Sequence, residues 1–361
     1  MKKEIAFCIT CMNRLSHIQQ TLVQNMENNF LPDKVEFILL DYNSSDGLEE
    51  WAKTLQNYID IGILHYYRTN VPAHYHRSHS RNMAFRLSDA EIVCNLDADN
   101  FLGKGFSEYI LQQFIEAKEK MFMTSNFSSM NIFGRFCACR SDFMHIRGYN
   151  ELLSGYGTED SDLFNRLIKI GLRQNVFYNN SFCKAIEHSH KERISQEFYY
   201  QSLSALYIYY DMPFRIGFLL LHKDFTFETG YLINHTLCHY NEQKQFASFL
   251  EMDFDISSRI TVENTIQKGK WSKTDDKIQL MINHNPSIFS LSDVKIQINN
   301  CDFYKVSHDE VISIFILHLS NAVNYAEAKN VIDNQLTVNP TGFGQGTVYK
   351  NFDYTTPIIL Y

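Results

Sequence analysis

Glycine and proline are scarce, 15 and six in 361 residues, about half of their usual combined share. That scarcity excludes collagen-like repeats, disordered low-complexity chains and linker-dominated architectures. Positive charge is also in short supply. Thirty-three Lys and Arg stand against 41 Asp and Glu, a net charge of −8, so the surface as a whole repels nucleic acid and anionic lipid. No apolar run approaches the roughly 18 to 20 residues that a membrane span needs; the longest candidate, Ile216 to Leu221, is broken by His222, Lys223 and Asp224. A secretory leader is not indicated either. The apolar run Ile5 to Ile9 behind Met1-Lys2-Lys3 is too short, and Asn13-Arg14 follow at once. These absences predict a cytoplasmic protein without a transmembrane segment, with peripheral association at the inner face of a membrane as the alternative.

Core-building material, by contrast, is plentiful: apolar residues make up 45% and aromatics 14% of the chain. The length suits two domains. Eight cysteines in so long a chain do not suggest a disulfide scaffold, and Cys8, Cys94 and Cys137 lie in strand-like apolar runs where a thiol behaves as a small hydrophobe. Cys8-Ile9-Thr10-Cys11 has the spacing of half a zinc site, but no second pair follows.

Strands and helices alternate along the first half. Lys3 to Thr10, Val35 to Leu40, Ile61 to Tyr67 and Glu91 to Leu96 read as strands. Between them Leu15, Ile18, Leu22 and Met26 recur at helical spacing, as do Leu48, Trp51, Ala52 and Leu55, and Ser78 to Leu87 reads as a helix. That order predicts an α/β domain, a mainly parallel sheet whose ligands bind at the carboxyl ends of strands. Phe101 to Lys120 reads as helical, Met121 to Arg140 as extended, and Asp160 to Ile170 as a short amphipathic helix ended by Gly171. Beyond about residue 195 the pattern changes: Phe198 to Leu221 reads as helical, and Ile278 to Tyr361 as strands with a helix near Glu310 to Tyr325. The division expected is one α/β domain over 1–200 and a helical, then mixed α+β accessory region over 201–361.

The polar residues gather at the strand ends. Asp97-Ala98-Asp99 closes an apolar strand; two carboxylates so spaced suit a hard divalent cation bound to a diphosphate, although an Asp-rich strand end is more often only a turn. Asp41 ends another strand and is placed to accept from a base N–H or a ribose hydroxyl. Thr10, Asn13 and Arg14 leave the first strand on the same side, and Arg81 either opposes the donor phosphates or locks the acids in place. A second acidic cluster, Gly155-Tyr156-Gly157-Thr158-Glu159-Asp160-Ser161-Asp162, opens the short helix. Acids there complement the helix dipole, but the glycines around Tyr156 also let backbone and ring approach a ligand. A carboxylate at this point can take the proton of an attacking hydroxyl. His188 offers an imidazole that Mn²⁺ accepts beside carboxylate. His74, His76 and His79 read as a loop near the nucleotide.

Taken together these residues resemble the GT-A glycosyltransferases, with a family 2-like N-terminal half followed by a galactosyltransferase-type segment, over about residues 3 to 195. The specific part is Phe133-Gly134, then Arg147-Gly148-Tyr149-Asn150, then Gly157 to Leu167, which is similar to that family's Phe-Gly-Gly, Asn-Gly-Phe and Gly-Trp-Gly-Gly-Glu-Asp-Asp-Asp run. The resemblance implies that Asp41 binds uracil, that Asp97 and Asp99 bind ribose and Mn²⁺ (or Mg²⁺), and that His188 completes the metal set. It makes Asp160 the catalytic base, Glu159 and Asp162 acids of the acceptor site, and Tyr156 the counterpart of the family's Trp. Ile132 stands where those galactosyltransferases carry an aromatic residue against the sugar's 2-position, which implies room for an N-acetyl group. The implied function is an inverting transfer of N-acetylgalactosamine or galactose from a UDP-sugar donor to a saccharide or lipid-linked saccharide acceptor, in bacterial surface glycan assembly.

Ser161 replaces a family acid and Arg135 the second Gly of Phe-Gly-Gly, and the Gln-x-x-Arg-Trp motif of processive synthases is missing. Two other classes compete. A sugar-nucleotide nucleotidyltransferase would need an early Gly-rich loop, which Cys8 to Arg14 lacks, and a glycan-binding module would have no use for a base beside a metal.

Overall fold

The computed structural model describes residues 2–126, 130–212, 214–235 and 260–361. They form two compact units: one holds the described residues up to Ser154 with Thr158–His188 and Asn334–Tyr361, the other Gly155–Gly157 with the described residues of Ser189–Asp333.

The first unit is built on nine strands: β1 (Ile5–Cys11), β2 (Val35–Tyr42), β3 (Leu64–Thr69), β4 (Ile92–Asn95), β6 (Met121–Ser125), β7 (Phe136–Cys139), β8 (Arg173–Phe177), β18 (Gly346–Lys350) and β19 (Asp353–Leu360), in the order β19-β18-β3-β2-β1-β4-β7-β6-β8. A separate two-stranded ladder pairs β5 (Asn100–Phe101) with β9 (Lys184–Ala185). β3, β2, β1 and β4 run parallel. β1 and β2 are buried along their whole length, as continuous apolar runs demand when helices cover both faces of a sheet. Phe7 and Ile9 pack with Ile18, Leu22 and Met26 of α1 (Leu15–Asn28). Ala6 and Cys8 point the other way, toward Met83 and Phe85 of α4 (Arg77–Arg86) and Leu163, Phe164 and Leu167 of α7 (Glu159–Lys169). Further helices are α2 (Leu48–Lys53), α3 (Gln56–Asp60), α5 (Phe106–Glu116) and α6 (Arg140–His145). Cys8 and Cys94 lie in the sheet, their thiols held protonated by burial.

The last strands return to this unit. β18 pairs antiparallel with β3 and β19 extends the edge, whereas the sequence places them with the accessory region. Local patterning carries no signal for a partner nearly 300 residues away; Asn351 accepts from the Tyr66 backbone N–H at 3.0 Å, and Phe352 stacks on the Tyr66 ring at 4.7 Å.

The second unit contains α8 (His190–Ile194), α9 (Phe198–Ser202), α10 (Asp309–Asp333) and an antiparallel eight-stranded sheet: β10 (Leu203–Met212), β11 (Arg215–His222), β12 (Thr226–Asn234), β13 (Ile260–Thr274), β14 (Lys277–Ile282), β15 (Asn285–Ser290), β16 (Lys295–Ile298) and β17 (Cys301–Lys305). Here the helix expected over Phe198 to Leu221 is corrected to one short turn and a β10–β11 hairpin. Leu206, Ile208, Phe218 and Leu220 face one core with Phe315 and Leu319 of α10, and Tyr207, Leu219 and Leu221 face another with Trp271 and Phe289. A strand buried on both faces shows no alternation, so its apolar run reads equally as a buried helix, and only the Tyr and Ile content favours a strand. Residues 127–129 of the stretch expected to be extended, and residue 213 of the expected helix, lie outside the described residues. Among the described residues no helix is long and apolar enough to cross a membrane.

Candidate active site

The carboxyl ends of β2 and β4 and the start of α7 carry the acids singled out above. Their organiser is Arg81, a second-turn residue of α4 that is only 3% exposed. Its Nη1 donates to Asp160 Oδ1 at 2.9 Å and lies 3.5 Å from Glu159 Oε1, while Nη2 donates to Asp97 Oδ1 at 3.0 Å. One guanidinium therefore joins the strand-end Asp to the two acids of α7. The Tyr149 ring sits 5.4 Å from it. Gly134 closes the cluster from β7's side: a Cβ there would lie 3.0 Å from Asp160 Oδ2, 3.1 Å from Arg81 Nη2 and 3.3 Å from Asp97 Oδ2.

Three carboxylates around one cation do not share it equally. Burial drives the Asp160 carboxyl up, and the charges of Glu159 and Asp97 add to this against Arg81, to about 7. Asp97 is partly exposed at its side chain, and Arg81 and the Asn95 side chain outweigh its desolvation and hold it below the usual carboxylate range. Two titratable groups with opposed tendencies beside one another are what general acid–base chemistry needs. Arg81 Nε, Glu159 Oε2 and the Tyr149 hydroxyl are buried here without a hydrogen-bond partner among the described residues. Buried polar groups seldom remain so unless something else completes them.

Asp99 turns away from this cluster. Its Oδ2 lies 2.7 Å from His188 Nε2, and its Oδ1 accepts from the Asn100 side chain at 2.6 Å. The His188 ring is met edge-on by His17 of α1 at 5.8 Å. An imidazole and a carboxylate are a donor set that Mn²⁺ accepts, and an ion held by both would replace the proton that joins them here. Among the described residues no three His, Cys, Asp or Glu groups converge as a metal site. Such an ion would take its other ligands from a diphosphate and water, the usual mode for Mg²⁺ and Mn²⁺.

The remaining expected site residues are differently engaged. Thr10 Oγ1 shares a 2.7 Å hydrogen bond with the Tyr75 hydroxyl. Asn13, at φ 54°, accepts from Ser45 N at 2.7 Å and so ties the loop after β1 to the loop after β2. Burial and the charge of Arg77 lower the Arg14 pKa, with Asp99 opposing. Asp41 is fully buried: Ser44 N, the Tyr66 hydroxyl and Arg68 Nη1 each donate to its carboxylate at 2.7 Å. Ile132 is fully buried, its carbonyl accepting from Ser125 Oγ and Arg135 N. Asp162 is held by Arg166 one turn on in α7, at 2.8 and 2.9 Å. Tyr156 belongs to the second unit, where its hydroxyl accepts from Arg193 at 2.8 Å.

Several supporting residues escaped the sequence reading. Arg68 and Tyr66 secure Asp41, and the register that sets Arg68 beside Asp41 follows once β2 and β3 are aligned by their strand ends. Arg77, 5.5 Å from the Tyr75 ring, adds positive charge near Asp97 and Asp160. The loop 147–151, whose Tyr149 faces Arg81, is fixed from far away: Asn339 donates to the carbonyls of Arg147 and Tyr149 at 2.7 Å, and Glu151 Oε1 accepts from Asn82 at 2.8 Å and Gly344 N at 2.6 Å. No local signal marks Asn339 or Gly344.

Residues 6–136 match the family model described as glycosyl transferase family 2, and residues 120–191 the model described as the N-terminal domain of galactosyltransferase. The first unit carries a glycosyl transferase family 2 domain over residues 6–136. No curated protein sequence matches the chain. Among solved structures it is similar to the mannosyltransferase PcManGT from Pyrobaculum calidifontis, in complex with GDP-Man and Mn²⁺ (15% identity, 52% of this chain and 58% of that one, TM-score 0.44). It is also similar to S. aureus TarS 1–349 (14%, 51% and 59%, 0.42) and to the catalytic domain of Drosophila β1,4-galactosyltransferase 7 complexed with xylobiose (12%, 55% and 75%, 0.38). The chain thus spans under two thirds of the length of the first two.

Proposed function

We propose that this glycosyltransferase domain performs an inverting, metal-dependent transfer of a hexose, N-acetylgalactosamine or galactose, from a UDP-sugar to a hydroxyl of a saccharide or lipid-linked saccharide. The reading rests above all on Asp160, a buried carboxylate raised to about 7 and tied through one Arg to the strand-end Asp97. A base so tuned is half ionised near neutrality and can accept the proton of an acceptor hydroxyl. As that proton passes to Asp160, the acceptor oxygen forms its bond to the anomeric carbon, and the bond from that carbon to the diphosphate oxygen breaks with its electron pair leaving on UDP. A single displacement of this kind inverts the anomeric configuration. Arg81 holds Asp160 and Asp97 in fixed relation throughout, and Arg14 and Arg77 supply positive charge on the side where the diphosphate departs. A divalent cation bound by Asp99 and His188 would supply the further charge compensation that a leaving diphosphate requires. The uracil-binding role of Asp41 would fall to Oδ1, which accepts from Ser44 N while Tyr66 and Arg68 both donate to Oδ2. The role in bacterial surface glycan assembly, at the cytoplasmic side of a membrane, is part of the same proposal.

The test is nucleotide release across a panel of UDP-sugars and GDP-mannose with Mn²⁺ and simple glycoside acceptors. Release should require the metal, favour UDP-N-acetylgalactosamine or UDP-galactose, and fall at least a hundredfold in Asp99→Asn. Unchanged turnover in EDTA, or a product of retained configuration by NMR, would overturn the reading.

A further inference from the structure

Arg135, which replaces the second Gly of the family's Phe-Gly-Gly, is the bulkiest of the fully buried side chains. Its partners are neutral. Nη2 donates to Asn100 Oδ1 at 2.8 Å, Nη1 donates to the Phe182 carbonyl, and the Phe106 ring lies 5.8 Å from the guanidinium. Burial lowers its pKa to about 10, so it remains a cation at neutral pH. A buried cation answered only by neutral groups is costly, and the transfer proposed above makes no use of it. Each of its two donors leads to one half of the Asp99–His188 pair. Asn100 is fully buried, and its amide serves the guanidinium only with Oδ1 turned toward it, which leaves Nδ2 to donate to Asp99 Oδ1 at 2.6 Å and to the Asn131 carbonyl at 3.1 Å. Asp99 then presents Oδ2 to His188. The Phe182 carbonyl opens the segment that leads to His188. Lys184 and Ala185 pair with Phe101 and Asn100 in the β5–β9 ladder, and Ile186 N donates to the Asp99 carbonyl at 2.8 Å. All of these residues lie in the first unit. A guanidinium presents its donors as a rigid fork, so one side chain holds two segments at a fixed separation, which a glycine cannot do.

We propose that Arg135 is a positioning residue for the divalent cation: it locks the Asn100 amide in the one orientation that holds Asp99, and ties the His188 segment to the same point, so that carboxylate and imidazole are set before the ion arrives. The inference rests on the metal-dependent transfer proposed above. Arg135 acts through Asn100 and the Phe182 carbonyl, not by touching the ion.

Arg135→Gln removes the charge and the fork, whereas Arg135→Lys keeps the charge on an ammonium that reaches one of the two carbonyl oxygens. Asn100→Ala removes the amide and leaves Arg135 in place. Groups that hold a metal's ligands in position are typically worth about 10- to 100-fold in metal affinity. Calorimetric Mn²⁺ affinity in saturating UDP should fall by that factor in Arg135→Gln and Asn100→Ala, and by less in Arg135→Lys. Nucleotide release should return to within about threefold of wild type when Mn²⁺ is raised by the same factor. Amide hydrogen exchange at residues 184–186 should accelerate at least tenfold in Arg135→Gln. Wild-type Mn²⁺ affinity in a folded Arg135→Gln protein, or a loss of release that added Mn²⁺ does not restore, overturns the proposal. If Arg135→Gln does not fold, Arg135→Lys and Asn100→Ala decide it by the same two readings. If the wild-type protein binds no Mn²⁺ with UDP, the metal reading of Asp99 and His188 fails by itself, and exchange at 184–186 decides whether Arg135 ties that segment.

Discussion

Replacing Arg81 by Gln should displace the pH profile of transfer as well as its height. In the wild type one guanidinium faces Asp97, Glu159 and Asp160, and burial, Glu159 and Asp97 together outweigh it at Asp160, leaving that carboxyl at about 7. The base works only when ionised, so kcat/KM for the acceptor at saturating donor should rise with pH and reach half its plateau near neutrality. An Arg in contact with a carboxyl typically lowers its pKa by about 1 to 3 units. Without Arg81 the midpoint should therefore move to roughly 8 to 10, and the ionised fraction at pH 7 should drop from about one half to between about a tenth and a thousandth. The expected loss is about fivefold to 500-fold at pH 7, recovered in part as the pH is raised. A profile from pH 5.5 to 10, taken with a check that the variant melts cooperatively, distinguishes this from simple damage. Loss of activity by the same factor at every pH, with the inflection unmoved, would refute the claim that Arg81 sets the ionisation of Asp160.

Asp160→Asn should stabilise the protein while disabling it. A raised folded-state pKa means that between about pH 4 and pH 7 the native state keeps a proton that the unfolded chain has lost, so native stability falls as pH rises through that window and stays low above it. The amide removes this penalty, and the variant's Tm should exceed the wild-type value at pH 8, by at least ~1 kcal/mol of stability, with the gap closing toward pH 4; turnover should fall about 10²- to 10⁴-fold. A Tm difference that does not change between pH 4 and pH 8 would count against it. Gly134→Ala puts a methyl group about 3 Å from Asp160, Arg81 and Asp97, and should cut kcat at least tenfold while far-UV circular dichroism is preserved; wild-type kcat would show that the three charged groups yield freely.

What the sequence made legible depended on how locally each feature is determined. The parallel strands declared themselves because burial on both faces demands uninterrupted apolar runs, whereas Asp97, Asp99 and Asp160, which a turn or a helix dipole alone would explain, stood out only through their order along the chain and the family resemblance. The hairpin of β10 and β11 failed the same test, since its Tyr- and Leu-rich run fits a buried helix or a doubly buried strand equally well. Asn339 was invisible for another reason. Its hydrogen bonds to the Arg147 and Tyr149 carbonyls join residues about 190 apart, and a single Asn in a polar loop has no pattern to betray it.

The segment 157–160 shows most plainly why local rules give way at the site. A Thr at a helix N-terminus ordinarily takes extended dihedrals and caps a backbone N–H, worth about 1 kcal/mol. Thr158 instead adopts φ 72° and makes no capping bond from its side chain, so it forgoes that stabilisation and adds strain of order 1 to 3 kcal/mol. Neither loss benefits the helix, which already has Glu159, Asp160 and Asp162 in its first turn to answer the dipole. The left-handed residue does serve to turn the chain sharply just before the acids, which meet Arg81 from the start of α7. Restoring an ordinary cap should straighten that turn and move Asp160 relative to the Arg81 guanidinium, so under the role proposed for Asp160 stability and chemistry would make opposite demands on the same residue.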